Sequence, residues 1–261
     1  AAEIGMDAAE IRRKNYLQAP DFPVSTAVGT EYDSGDYEKS LELALEAAGY
    51  SDLRAEQAKR RENEEVVQLG IGIATYVEIT AGPAPGGAEY GKVEITNEGK
   101  ARVYSGSLSH GQSHQTTFAM IAADQLGMDI EDIELVQGDT DKVAEGVGTF
   151  GSRSTQLGGS SIHRAAGEVV DSAKQIAADL LEANLDDIVL DHSNGTFHVS
   201  GTPAVSKTWA DIAEEATDLS SESNEQTKCS YPFGTHVAVV EIDTETGGVT
   251  LDRMITCDDA G

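Results

Sequence analysis

Residues 148–159 read GTFGSRSTQLGG. The stretch is poor in apolar side chains and rich in hydrogen-bond donors. Gly148 and Gly151 let the backbone turn and come close to a ligand. Ser152, Ser154 and Thr155 offer hydroxyls, and Arg153 offers a planar fork of N–H donors suited to phosphate. Directly afterwards, apolar residues fall at Leu157, Ile162, Ala166, Val169, Ala173, Ile176 and Leu180. Steps of mostly three to five place them on one face of a long helix. The spacing therefore predicts a polar loop at a helix N-terminus, where free N–H groups and the helix dipole favour an anion. An ordinary Ser/Thr-rich helix cap with a surface arginine fits the same residues.

An anion site runs against the general charge of the chain. Its 261 residues carry 46 Asp+Glu against 18 Lys+Arg, a formal net charge of -28. That balance argues against a general nucleic-acid binder, which needs a basic face. Hydrophobic residues make up 39%, and their periodic segments predict a folded core rather than an acidic disordered chain. The acids are distributed along the sequence, as suits a surface kept soluble where salt screens repulsion. The expectation is a cytoplasmic protein of a high-salt organism. Cys229 and Cys257 are too few for a disulfide framework or a four-cysteine metal site. No apolar run reaches the roughly 18 residues of a membrane span. The opening AAEIGMDAAEIRRKN lacks the apolar region of a signal peptide. It begins mid-helix in character and suggests a piece of a longer chain.

The fold expected is α+β: a helical N-terminal segment, then a mixed α/β part. Asp7 and Glu10 form a capping box before a helix over 8–15. Residues 19–33, with Pro20, Pro23 and Gly29, read as a loop. A helix over 36–48 stops at Gly49, and a second, polar one, capped by Ser51, runs to about residue 61. Residues 70–80 contain a G-x-G. Thr75 stands where a dinucleotide fingerprint needs its third glycine, and the flanking residues read as strand, so a Rossmann site is rejected. Residues 82–87 read as a glycine-rich loop. Strands over 90–96 and 101–105 form a hairpin around Asn97-Glu98-Gly99. Residues 109–127, SHGQSHQTTFAMIAADQLG, place a second polar loop ahead of a helix ended by Gly127. A strand over 133–136 and the long helix, ending near 183 or 184, follow. Asn194-Gly195 predicts a type I′ hairpin between 187–190 and 196–199. Thr208 starts a short helix. Residues 218–228 read as an exposed linker, and 231–261 as a hairpin returning to the first part. The expected divisions are 1–68, 69–230 and 231–261.

Other chemistry is weakly supported. His110 and His114 are four apart, but no glutamate completes a zinc-protease motif. GDTDKVAEG at 138–146 lacks the glycine and glutamate of a calcium loop. No G-x-S-x-G elbow is present. Two loop-to-helix junctions remain. Together they suit a dinucleotide, which has two phosphates and a base.

Seven stretches then carry a resemblance in chain order. They are AEIRRKN at 9–15, YDSGDYEKSLELAL at 32–45, GIGIATYVE at 70–78, HGQSHQTTFAMIAADQLG at 110–127, GDTD at 138–141, GTFGSRST at 148–155 and YPFGTHVAVVEID at 231–243. The chain resembles the large, molybdenum-cofactor-binding subunit of the xanthine oxidase and aldehyde oxidase family, most of all its carbon monoxide dehydrogenase branch. The resemblance implies molybdenum held by a molybdopterin dinucleotide, the cytosine form. It implies cofactor contacts from His110, Gly111, Gln112, Ser113 and His114, with Gln112 near the metal's ligands, and from Gly151, Ser152, Arg153, Ser154 and Thr155. The family usually has glycine where this chain has Ser113. The resemblance further implies oxidation of an aldehyde, N-heterocycle or carbon monoxide with water as oxygen source. FAD and iron–sulfur clusters are then expected on partner subunits, in a dimer of heterotrimers. The active-site loop is expected before Ala1 and the catalytic glutamate after Gly261, so no catalytic residue is assigned here and the piece alone is expected to be inactive. Neither cysteine matches the active-site cysteine of the carbon monoxide branch. A non-catalytic cofactor-binding or scaffold module that kept the fold is the alternative.

Overall fold

Asp36 and Gly49 bracket a helix as their chemistry requires. The Asp36 carboxylate accepts from the Lys39 amide at 3.1 Å, and Gly49 turns the chain out in the left-handed region at φ 66°. The computed structural model describes residues 1–81 and 87–261. In chain order the elements are α1 (Ala8–Arg13), β1 (Val24–Ser25), β2 (Glu31–Tyr32), α2 (Tyr37–Ala48), α3 (Tyr50–Glu62), β3 (Val67–Val77), β4 (Glu89–Ile95) and β5 (Ala101–Ser105). Then come α4 (His114–Leu126), β6 (Ile133–Gln137), α5 (Ser160–Leu180), β7 (Ile188–Asp191), β8 (Thr196–Val199), β9 (Ser206–Thr208), α6 (Trp209–Glu215), β10 (Ser220–Glu225), β11 (Phe233–Asp243) and β12 (Val249–Asp259). The architecture is mixed helix and sheet. The expected loop over 82–87 lies outside the described residues except for Gly87.

The chain divides into two compact units, Ala1–Thr80 with Ser230–Gly261, and Ala81–Cys229. In the first, the strands run β12-β11-β3, all antiparallel. Leu41, Ala44, Leu45 and Ala48 of α2 bury their apolar stripe with Ala9 and Val237. The division expected near residue 68 falls instead at 80, because β3 pairs along its whole length with β11, from Val67 opposite Asp243 to Val77 opposite Phe233. Ser51 is not a cap: Gly49 ends α2 and also precedes the first turn of α3.

The second unit is built on a four-stranded sheet ordered β10-β4-β5-β6. β4 and β5 form the expected antiparallel hairpin, while β5 and β6 are parallel and joined through α4. α4 and α5 pack into the core with Val93, Val103, Phe118, Ile162, Val169 and Phe197. Full burial of side chains such as Ile162 and Val169 contributes roughly 1.5–3 kcal/mol each. The supposed linker over 218–228 is in fact β10, antiparallel to β4 from Ser220 opposite Glu94 to Glu225 opposite Glu89. Its Ser/Glu alternation hides the strand, because the inward side chains, Ser223 and Glu225, are polar.

The third sheet, β7-β8-β9, also departs from expectation at its turn. Only Gly195 has positive φ there, and both Asn194 and Gly195 amides donate to the Asp191 carbonyl. A four-residue loop replaces the two-residue type I′ turn, which needs positive φ at two positions. Trp209, capped into α6 by Thr208, closes this corner. Its indole N–H donates to the Leu126 carbonyl at 2.9 Å, and its ring meets Phe197 edge-on. Trp209→Phe removes the donor from a buried carbonyl and is expected to cost about 1–3 kcal/mol, read as a lowered urea midpoint with unchanged slope.

Candidate functional site

Two loops of the second unit meet at one cleft of about 350 Å³. Gln112 and His114 line it from the first loop, and Thr149, Phe150, Gly151, Ser152, Arg153, Ser154 and Thr155 from the second. The loops are tied together directly, the Thr149 hydroxyl donating to the Leu108 carbonyl at 2.6 Å; within the second loop Ser154 Oγ donates to Thr149 Oγ1 at 3.3 Å. His110, Gly111 and Ser113 belong to the same loop but do not line the cleft. His110 and His114 do not share a helix face, because His114 is the first residue of α4 and His110 lies in the loop before it. Among the described residues no cluster of His, Cys, Asp and Glu could hold a metal.

The first loop reaches α4 through tight backbone. Gly111 has φ 109° and Ser113 φ 64°. The left-handed region disfavours a residue with a Cβ, by roughly 1–2 kcal/mol, so Ser113 occupies a position whose geometry suits glycine. The Gln112 side-chain oxygen accepts from the His110 amide, which curls the loop over itself. His114 is buried and stacks on Phe118 at 4.8 Å between centroids. Burial, aided by the nearby His110, holds its imidazole below the usual 6.5. The sign follows from linkage. The unfolded chain takes up a proton near pH 6.5 and the folded one resists it, so this contribution is whole above that pH and declines as pH falls. Thermal midpoints are therefore expected to drop between about pH 7 and about pH 5, and His114→Gln is expected to flatten part of that slope.

The second loop joins α5 less directly than the sequence suggests. Residues Ser154–Gly159 form a π-helical turn, and the regular helix begins only at Ser160. Such turns often mark functional positions. Gly148 (φ 108°) and Gly151 (φ 58°) take the positive angles that glycine allows. Nothing lies within 4 Å of the Cβ position at either, or at Gly111.

Arg153 differs most from the surface residue or open phosphate claw that its motif suggests. It is 2% exposed and its Nη2 lies 3.2 Å from a carboxylate oxygen of Glu89, itself 0% exposed. Nη2 also donates to the Gly87 carbonyl at 2.9 Å, and the guanidinium covers the Phe150 ring. Nε and Nη1 are buried with no acceptor among the described residues. Beneath the loops, Gly106 and Gly146 bring the two backbones into contact. Sequence reading missed Glu89, Gly106 and Gly146. The repeated glycines of SGS at 105–107 and EGVG at 145–148 were the available signal for the last two.

The donor set fits a polyoxygenated anionic group: a side-chain amide, hydroxyls, bare glycine backbone, and a guanidinium whose Nε and Nη1 have no acceptor among the described residues. Comparison with known proteins agrees in kind. A family model described as a molybdopterin cofactor-binding domain matches residues 43–261. The carbon monoxide dehydrogenase large chain of Hydrogenophaga pseudoflava is 39% identical over 100% of this chain and 35% of its own. The reconstituted carbon monoxide dehydrogenase of Oligotropha carboxidovorans superposes with TM-score 0.82 at 33% identity, over 99% of this chain and 35% of that one. Quinoline 2-oxidoreductase of Pseudomonas putida 86 gives TM-score 0.81 at 30% identity, over 100% and 35%. The chain thus spans about a third of the length of the relatives it matches.

Proposed function

Because the chain belongs to the molybdopterin cofactor-binding domain family, we propose that its cleft holds part of a molybdopterin dinucleotide, the cytosine form, within a molybdenum hydroxylase. The observation that carries this reading is the single cleft shared by Gln112, His114 and residues 149–155. Gln112 presents an amide at one end, on the side proposed to face the metal's ligands. The glycine backbone at 151 and the hydroxyls of Ser154 and Thr155 receive the nucleotide and its phosphates. Arg153 supplies positive charge from beneath the loop, where low dielectric strengthens it. Neutral His114, pressed against Phe118, shapes the floor and keeps water out. When bound, the cofactor supplies oxygen-atom transfer from water and takes up the electrons.

The whole protein would oxidise an aldehyde, an N-heterocycle or carbon monoxide. Electrons would pass to FAD and iron–sulfur partner subunits, as the likeness to the large chain of carbon monoxide dehydrogenase suggests. Molybdenum and pterin assay of the protein as isolated tests the reading. About one molybdenum and one pterin per chain, with cytidine monophosphate released on hydrolysis, is expected; a protein free of both contradicts it. Among the described residues no helix is long and apolar enough to cross a membrane.

A high-salt setting is part of the same proposal and rests on the net charge of -28. Salt screens self-repulsion, so unfolding midpoints are expected to rise from low to multimolar salt. A flat or falling curve contradicts that part alone.

A further inference from the structure

We propose that Glu89 is a positioning residue whose buried carboxylate clamps the two cleft loops to each other before any ligand binds. The inference deepens the cofactor reading and takes its purpose from it. Glu89 opens β4 and is 0% exposed. Its side chain touches both loops. Arg153 of the second loop lies 3.2 Å from one oxygen; the Val147 amide and the Ser107 hydroxyl are near enough to favour the charged carboxylate, but neither makes a hydrogen bond of good geometry to it among the described residues. The other oxygen lies 2.6 Å from where a Cβ at Gly106 would stand, and the side-chain methylene 3.5 Å from that position at Gly158. One side chain thus stands between the stem of the first loop, Arg153 of the second, and the π-helical turn. The Glu89 main chain extends the joint: its carbonyl accepts from Ser161 Oγ at 2.5 Å, and that oxygen accepts from the Glu225 amide at 3.0 Å.

Fold stability alone does not explain such a residue. A buried ion pair is often no more stabilising than apolar side chains of the same volume, and a leucine would fill this position on the sheet. A leucine cannot pair with a guanidinium that reaches in from a separate segment. Burial raises the Glu89 carboxyl above the usual carboxylate range, against the opposing pull of Arg153, Ser107 and Val147.

Hydrogen exchange on the complete protein stripped of cofactor tests this. In Glu89→Gln, amides in residues 106–112 and 146–155 are expected to exchange at least about tenfold faster, the rate equivalent of one lost charged hydrogen bond. Those of Ile188–Val199 are expected to be unchanged. Unaltered loops, or uniform acceleration of the whole unit, overturn the proposal. If the glutamine variant does not fold, Glu89→Asp serves instead. It keeps the charge one methylene short, and a smaller acceleration confined to the same two loops is expected; wild-type or uniform exchange overturns it. Pterin content separates the two claims. A wild-type protein without pterin sinks the cofactor reading whatever the loops do, and a loaded protein whose loops ignore Glu89 sinks only the clamp.

Discussion

Arg153→Ala is expected to destabilise the second unit by roughly 3–5 kcal/mol and to empty the cleft of cofactor. The reason is the partner left behind. Glu89 is 0% exposed and, among the described residues, Arg153 is the cation paired with it; without it a carboxylate is stranded where solvation is lost. Urea titration reads the stability, and pterin content reads the site. The double variant Glu89→Leu with Arg153→Met separates these effects. Apolar replacement of both charges is expected to recover most of the stability. Cofactor content is expected to stay low, since both the clamp and the buried donors are gone. A single variant within about 1 kcal/mol of wild type, the range of an exposed pair, would show that Arg153 is a surface residue after all.

Gly106→Ala is the second large effect. A Cβ at residue 106 would meet the Glu145 carbonyl oxygen at 2.8 Å and Glu89 Oε1 at 2.6 Å, with the Gly146 Cα closer still. Two of these neighbours are backbone and cannot rotate away, so the segments leading to the two loops must part. Overpacking of this kind costs about 1–3 kcal/mol, and the upper part of that range is expected. Pterin content should fall further than stability, because the displacement lies directly under the cleft. Gly158→Ala is the control. Its nearest neighbour is a Phe118 ring atom at 3.4 Å, which can yield. Equal losses in the two variants would contradict the assignment of Gly106 to a loop-to-loop contact.

Much of the architecture is legible where local chemistry decides it. Asp36 and Gly49 mark α2, Gly127 ends α4, and the alternation around Asn97-Glu98-Gly99 gives the β4–β5 hairpin. The two site loops are legible for the same reason: glycines and hydroxyls ahead of an apolar stripe. Long-range pairing is what local pattern cannot show. Ser220–Glu225 looks like a solvated linker because its inward groups are polar. They are tolerated because the Glu225 amide donates to Ser161 Oγ and its carboxylate takes Arg164 at 2.5 Å. Arg153 reads as a phosphate donor or a surface cap, and Glu89 carries no local signal at all. They lie 64 positions apart, and only the folded sheet brings them together in the interior.

The most direct test of one ligand held by two loops is hydrogen exchange compared between the cofactor-loaded and cofactor-stripped protein. Removal of the cofactor is expected to speed exchange at residues 111–114 and 150–155 together, leaving Ile188–Val199 untouched. Exchange that changes in one loop alone, or in neither, would contradict the shared cleft.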